Sequence, residues 1–382
     1  MSRLMERFAA WAWNRVAEPT RQAAANGLDL GSLVRDGLPT NQHVFLPPSK
    51  RAEHVALLGK TGTGKSTLLR SSAHQDVREG RGFAFLDLHS DTTPSLLQAV
   101  AMEEQKSGRD LSSRLVIVEP GDATCTVGLN ILESTAGQLS FVHVAEVTAI
   151  LKQRWGLDSF GARTEELLRN ALLVLCENDL TLLEIGPLLS SASFRARCLK
   201  QVKNPEVRNY FETRYNAASA AMQATLNGPV LNKLTVFTAD PHSRHIFGQQ
   251  RSTLSLADAL DKAFWIVLNL DKGRLGEQAL TLASLFVTKL KNTLFSRQDR
   301  RLFTIYCDEV QNLVASESAL EVLFSEARKF GVGVVSANQF LEQHSAHLRS
   351  AILAVGTHIF FQLSGPGRNP DRQFSGRRQT SG

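Results

Sequence analysis

Short apolar runs recur along the chain and are separated by segments long enough to form helices. Such runs are typical of strands that are buried on both faces of a sheet, and the long connections suit parallel crossovers. The seven predicted strands are 54–58, 82–87, 114–118, 263–270, 302–307, 331–337 and 357–363. The pattern therefore predicts an α/β fold with a central, mostly parallel sheet.

A different pattern occupies residues 138–240, between the third and fourth predicted strands. Here the β-branched runs disappear and apolar residues recur at spacings of three and four, as at Phe141 and Val144. This spacing places apolar side chains on one face of a helix. We therefore expect an all-α insertion domain over 138–240, which divides the sheet domain into a first part, 41–137, and a second part, 241–364.

The two ends of the chain differ from the region between them. Residues 1–16 form a short basic amphipathic stretch, and periodicity is then lost through small and polar residues, which predicts a helix and a linker over 1–40. Residues 364–382 contain four Arg and one Asp among Gly, Ser and Pro, so we expect a disordered basic tail over 365–382. No uncharged apolar run reaches the roughly 18 to 20 residues that a transmembrane helix needs.

Composition narrows the class of protein. With 382 residues, 43% of them hydrophobic and 21% charged, the chain can bury a sizeable core and is not a disordered or collagen-like protein. Lys and Arg outnumber Asp and Glu by 43 to 37, which suits a polyanionic partner but is a weak signal alone. The cysteines, at 125, 176, 198 and 307, lack metal-binding or disulfide spacing, so we expect reduced thiols in a cytoplasmic protein.

A glycine-rich segment directly after the first predicted sheet strand matches G-x-x-x-x-G-K-[ST] at every fixed position. In such a loop the backbone N–H groups surround phosphate oxygens, Lys65 reaches the β and γ phosphates, and Ser66 binds Mg²⁺. A glycine-rich turn with a surface lysine is the plain alternative. The predicted nucleotide-binding residues are Gly59, Lys60, Thr61, Gly62, Thr63, Gly64, Lys65, Ser66 and Thr67.

Two adjacent acids end the predicted strand 302–307. Asp308 is placed to hold Mg²⁺ and Glu309 to polarise an attacking water, as general bases do in P-loop ATPases. The alternative is a helix cap or a solvated strand end. The next predicted strand ends at Asn338 and Gln339, so an amide should lie beside the acids at the ligand-binding edge of the sheet, where Gln339 can bind the γ phosphate or water. Its alternative is also a cap or a loop amide.

Together these motifs resemble the HerA/FtsK superfamily, and most closely the cytoplasmic ATPase domain of TraD/TraG-type conjugative coupling proteins. The resemblance covers roughly residues 42–363. Besides the phosphate loop, it rests on N-L-D-K-G-R-L-G (269–276), Y-C-D-E-V-Q-N (306–312), E-A-R-K-F-G (326–331), S-A-N-Q-F-L (336–341), L-N-K-L (231–234) and R-H-I-F-G (244–248). It implies a RecA-like domain carrying an all-α domain, a homo-hexameric ring, and DNA pumping driven by MgATP. It also implies that Arg328 acts in trans on the nucleotide of the neighbouring subunit.

The chain departs from this family at three places. The segment 87–91 reads D-L-H-S-D, where the family often has D-P-[HK]-G-D. No transmembrane helix is predicted, so we expect the protein to reach the inner face of the membrane through a partner, or to work as a soluble motor. After the last strand, S-G-P-G-R-N-P (364–370) replaces the usual acidic helical continuation, which affects the expected subunit contacts.

The resulting functional expectation is an ATP-hydrolysing DNA translocase that serves conjugation, type IV secretion or related DNA processing, with a relaxase or secretion-channel proteins as partners. A nucleotide-dependent adaptor that recruits protein substrates is the alternative from another class. A phosphotransferase and a degraded remnant are further rivals. Six basic residues between 190 and 214 are a candidate DNA contact, against the plainer interpretation of a solvated helix face. The pair His344 and His347 lacks a clear third metal ligand.

Overall fold

The computed structural model describes residues 27–120, 122, 127–133, 140–156, 161–239, 241–294 and 297–362. Among them are nine strands, in the order β1 Leu28–Arg35, β2 Leu38–Leu46, β3 Val55–Leu58, β4 Gly82–Asp87, β5 Leu115–Val118, β6 Trp265–Asn269, β7 Phe303–Cys307, β8 Val332–Asn338 and β9 Thr357–Phe360. Strands β3–β9 form one sheet with the spatial order β5-β6-β4-β7-β8-β3-β9, and every pair in it is parallel. The predicted α/β fold with a parallel central sheet is confirmed.

Helices connect the strands. In the described residues they are α1 Pro48–Arg51, α2 Lys65–Arg78, α3 Thr93–Ser107, α4 Ser140–Trp155, α5 Ala162–Glu177, α6 Ile185–Ser190, α7 Ala192–Leu199, α8 Pro205–Asn209, α9 Ala220–Ala239, α10 Pro241–Phe247, α11 Leu256–Asp261, α12 Lys272–Leu275, α13 Glu277–Leu294, α14 Glu317–Glu326 and α15 Ala346–Leu353. Short 3-10 helices lie at Ser112–Arg114, Leu182–Glu184, Val310–Ser316, Ala327–Phe330 and Leu341–Gln343, and a π-helical turn lies at Tyr210–Tyr215.

The predicted linker is wrong for residues 28–40. Residues 28–46 form an antiparallel hairpin of β1 and β2, and the predicted helix over 1–16 lies outside the described residues. The turn is Asp36-Gly37, where φ is 51° and 79°, as a tight two-residue hairpin requires. Most side chains of β2 are exposed, so the hairpin has almost no hydrophobic pattern to predict it from.

The described residues between 140 and 247 form helices and no strand, as the all-α prediction expects. Their apolar side chains are continuous with one face of the sheet, since Leu167 and Leu172 belong to the same buried cluster as Leu86 and Ile305. A second cluster on the other face joins α2, α3 and the hairpin. The domain boundaries themselves remain predictions, and the predicted tail over 365–382 lies outside the described residues.

Strand order decides where functional residues meet. Because β3, β7 and β8 are parallel neighbours, their carboxyl ends share one edge of the sheet. The glycine-rich loop follows β3, the acid pair follows β7, and Gln339 follows β8. Ligands of open α/β sheets bind at this edge.

Candidate nucleotide and hydrolysis site

The loop between β3 and α2 needs its glycines. Gly62 and Gly64 have φ angles of 76° and 107°, which residues with a side chain rarely adopt. Gly64 directly precedes the first residue of α2. A Cβ on Gly59 would lie 2.5 Å from the Cβ of Phe361. The first N–H groups of α2 have no acceptor within the helix and point towards the loop, together with the positive end of the helix dipole. The loop is therefore built to bind an anion.

Lys65, the first residue of α2, turns its side chain back into this loop. Its Nζ donates to the carbonyl oxygen of Lys60 at 2.7 Å, and the Thr63 hydroxyl donates to the same oxygen at 2.7 Å. Burial lowers the pKa of Lys65, while the carboxylates of Asp308 and Glu309 act in the opposite direction. An incoming phosphate offers this ammonium an anionic partner in place of a carbonyl.

Asp308 and Ser66 provide the oxygen atoms for a magnesium site. Burial raises the pKa of Asp308, and the charge of Glu309 adds to this effect, while hydrogen bonding with Ser66 lowers it. The Glu309 backbone N–H also donates to Asp308 Oδ1 at 3.0 Å. A half-buried carboxylate next to a hydroxyl suits Mg²⁺, which takes a few protein oxygens and completes its shell with water and phosphate. Both residues predicted to hold the metal therefore fit this ion.

Glu309 is held by three side chains from three different segments. Its Oε2 lies 2.7 Å from Asn312 Nδ2 and 3.0 Å from His89 Nε2, and its Oε1 lies 3.4 Å from Gln339 Nε2. The backbone of Glu309 has φ of 52°, a left-handed conformation that is uncommon for a residue with a side chain. The predicted proximity of Gln339 to the acid pair is present in the structure.

These groups surround a cleft of about 210 Å³. Backbone N–H groups of the loop, the Lys65 ammonium, the Ser66 hydroxyl and the two carboxylates face one space, which is the donor set that MgATP needs. Gly59, Lys60 and Thr63 do not line the cleft but support the loop. Thr63 donates to the Lys60 carbonyl oxygen, and Gly59 leaves room for Phe361. The cleft is lined by Thr61, Gly62, Gly64, Lys65, Ser66, Thr67, Asp308, Glu309, Ala337 and Gln339.

Arg328 is not part of this cleft. It lies in the 3-10 turn that precedes β8, at the amino edge of the sheet, whereas the cleft is at the carboxyl edge. Its side chain is exposed and pairs with Glu53, with 3.2 Å between Nη2 and Oε1. A role towards its own subunit's nucleotide is excluded by this separation, and the predicted role in trans remains a prediction.

Two residues that contact Glu309 were not predicted from the sequence. His89 lies in the loop after β4, and Asn312 lies in the 3-10 helix after β7. Asn312 belongs to a segment that carries the family resemblance, 306–312, and His89 to one that departs from the family, 87–91. Neither segment's spacing indicates which side chain reaches Glu309. The contact between His89 and Glu309 depends on strand order, because the strands that precede them, β4 and β7, are neighbours in the sheet.

The basic residues between 190 and 214 do not form one surface. Arg195 is buried and donates to the carbonyl oxygens of Leu188 and Leu189, and Arg214 pairs with Glu166. Arg208 donates to the carbonyl oxygen of Val202. The exposed basic residues of this segment are Arg197, Lys200, Lys203 and Arg214, of which Arg214 is the one paired with Glu166.

The pair His344 and His347 does not form a metal site among the described residues. His344 is instead buried, with its Nε2 3.1 Å from Asn338 Oδ1. Over the same residues, no helix combines the length and the apolar character needed to cross a membrane.

Comparison with solved structures identifies the architecture. No family model and no curated protein matches the sequence. The bacterial conjugative coupling protein TrwB, in an unbound form, superposes with a TM-score of 0.55 at 18% identity, over 87% of this chain and 73% of that one. VirB4 of Thermoanaerobacter pseudethanolicus gives 0.57 at 14% identity, over 89% and 85%. The chain has their fold. A further TrwB structure, in complex with ADP and Mg²⁺, gives a TM-score of 0.54 at 18% identity, over 88% and 76%. The expected RecA-like P-loop architecture is thus confirmed.

Proposed function

We propose that this chain is an ATPase that binds MgATP in the cleft at the carboxyl edge of the sheet and hydrolyses it. The observation that carries the proposal is the meeting of Lys65, Asp308 and Glu309 in one cleft although they come from two distant segments. Phosphotransferases also use a carboxylate base, so it is Glu309 together with Gln339 and the segment of Arg328 that favours hydrolysis over transfer.

Each residue has a distinct task in this proposal. The loop N–H groups and Lys65 bind the phosphates, and Ser66 and Asp308 hold Mg²⁺, which neutralises phosphate charge when bound. Glu309 takes the proton of the attacking water, and Gln339 donates to the γ phosphate or to that water. Arg328 of a neighbouring subunit stabilises the charge that develops on the transferred phosphoryl group.

We further propose that hydrolysis moves DNA in conjugation, type IV secretion or related DNA processing. The fold shared with the conjugative coupling protein TrwB and with VirB4 supports this assignment. A homo-hexameric ring fits the position of Arg328 at the edge opposite the cleft, because a site completed in trans requires a neighbour. A relaxase or secretion-channel proteins are the partners we expect, and such a partner would hold the motor at the inner face of the membrane.

The proposal is tested by measuring ATP turnover of the purified chain with no DNA, single-stranded DNA and double-stranded DNA over a series of salt concentrations. Glu309→Gln is the blank, since it keeps the shape of the side chain but cannot accept a proton. We expect DNA to stimulate turnover and Glu309→Gln to show no turnover. Added salt should weaken the stimulation, because non-specific DNA binding is electrostatic.

Two results would contradict parts of the proposal. Turnover that persists in Glu309→Gln would contradict the assignment of Glu309 as the group that takes the proton of the attacking water. Turnover that is lost in the blank but indifferent to DNA would retain the ATPase and replace the DNA motor with an adaptor that recruits protein substrates.

A further inference from the structure

The catalytic glutamate is oriented by a residue that has no place in the phosphate loop or the acid pair. We propose that Asn312 is a positioning residue that sets the direction of the Glu309 carboxylate and links it to the all-α region. The proposal rests on the hydrolytic role of Glu309 argued above. It begins from the shortest contact to that carboxylate, the 2.7 Å hydrogen bond from Asn312 Nδ2 to Oε2.

The orientation of the Asn312 amide is determined by a third residue. Lys272, at the first position of α12, donates from Nζ to Asn312 Oδ1 at 3.2 Å. An ammonium can only donate and a carboxylate can only accept, so the amide oxygen must face Lys272 and the amide nitrogen must face Glu309. Turning the amide over would break both hydrogen bonds. Lys272 therefore acts on Glu309 through Asn312.

Asn312 is also attached to the all-α region through its main chain. Arg154, near the end of α4, donates from Nη2 to the carbonyl oxygen of Asn312 at 2.6 Å. The 3-10 helix that carries Asn312 is kinked at Leu313 and directly follows the acid pair. A displacement of α4 is thus transmitted to the segment that holds Glu309, over a path of two hydrogen bonds.

The loop that carries His89 belongs to the same arrangement. The Lys272 backbone N–H donates to the Leu88 carbonyl oxygen at 2.7 Å, next to His89, which contacts the same Oε2 of Glu309. Both hydrogen-bonding partners of Oε2 are therefore anchored near Lys272. This convergence on one carboxylate oxygen is stronger support for a positioning role than any single contact.

The first test is Asn312→Ala, assayed for steady-state turnover and for ADP affinity by calorimetry. We expect kcat to fall by about tenfold or more, because a general base contributes roughly 10²–10⁴ and depends on its geometry. ADP affinity should stay at the wild-type value, because Asn312 does not line the cleft. Gln311→Ala is the matched control, since its buried side-chain oxygen has no hydrogen-bond partner in the described structure.

The second test keeps the volume of the side chain and removes its donor group. Asn312→Asp presents only acceptor oxygens to Glu309, so it cannot hold that carboxylate by a hydrogen bond. The kcat of Asn312→Asp should therefore fall at least as far as that of Asn312→Ala, whereas a role in packing alone would leave kcat near the wild-type value.

A third test follows the path to α4. Lys272→Met should lower kcat by less than Asn312→Ala and add nothing to it in the double variant, because Lys272 acts through Asn312. Arg154→Met should lower kcat without changing ADP affinity.

The outcomes separate this inference from the proposed function. Wild-type kcat in Asn312→Ala or in Asn312→Asp overturns the positioning role while Glu309→Gln still defines the ATPase. Wild-type kcat in Arg154→Met overturns the link to α4. Turnover that survives in Glu309→Gln overturns the function and this inference together.

Discussion

A buried ion pair between α1 and α2 gives the sharpest stability prediction. Asp76 on α2 is fully buried and accepts hydrogen bonds from Arg51 at 2.6 and 2.8 Å, from Arg81 at 2.8 Å and from the Tyr306 hydroxyl at 2.7 Å. The perturbation is Asp76→Asn, which keeps the volume and removes the charge. The network joins α1, α2 and β7, so it holds the phosphate loop helix against the central strand.

The expected loss follows from what the substitution leaves behind. Arg51 is 1% exposed, so its guanidinium stays in the interior without its anion, and an amide N–H group can face the guanidinium N–H groups. Removing one partner of a buried pair costs about 3–5 kcal/mol, because the remaining charge is desolvated and uncompensated. That is a large share of the roughly 5–15 kcal/mol by which folded proteins are stable.

The assay is urea unfolding followed by tryptophan fluorescence, with the midpoint and slope compared between variants. Asp258→Asn is the control, because Asp258 pairs with Lys262 at the surface at 3.5 Å and should contribute less than about 1 kcal/mol. Adding Arg51→Met to Asp76→Asn should recover part of the loss by removing the stranded cation. A loss in Asp76→Asn no larger than in the control would refute the reasoning.

Three further predictions concern the trans site, DNA and pH. Arg328→Ala should abolish turnover, and mixing it with Lys65→Ala should restore part of it, because each subunit supplies what the other lacks. Replacing Lys200 and Lys203 with Gln should reduce the dependence of DNA affinity on salt by up to about 0.9 per lost phosphate contact, measured in a titration series. Burial lowers the pKa of His54 from 6.5 to about 4, so its stabilising effect is complete above pH 6.5 and is lost as pH falls towards 4. His54→Asn, which tolerates the φ of 66° at this position, should flatten the urea-midpoint profile over that window.

Each of these has a clear opposing result. No recovery in the mixed subunits would remove the trans assignment, while an unchanged salt slope would place the DNA contact elsewhere. An equal loss of stability between pH 6.5 and 4 in wild type and His54→Asn would mean that other groups dominate this range.

The seven strands of the sheet lie within a few residues of their predicted positions, because buried strands carry a dense apolar signal in a short run. The hairpin β1–β2 was missed for the opposite reason. Its two buried side chains, Leu28 and Leu46, are paired at the open end of the hairpin but lie 18 residues apart in the sequence, and the remaining residues are mostly exposed. The Asp36-Gly37 dipeptide was the available signal, since this pair favours the tight turn of a hairpin.

Local sequence alone determined the phosphate loop, because its glycines, Lys65 and Ser66 are contiguous and their backbone geometry is a local property. The tertiary structure decided how Glu309 is held. His89, Asn312 and Gln339 lie 220, 3 and 30 residues from it along the chain, and they meet because β4, β7 and β8 are neighbours in the sheet. Strand order follows from the packing of the whole core, so no short segment contains it.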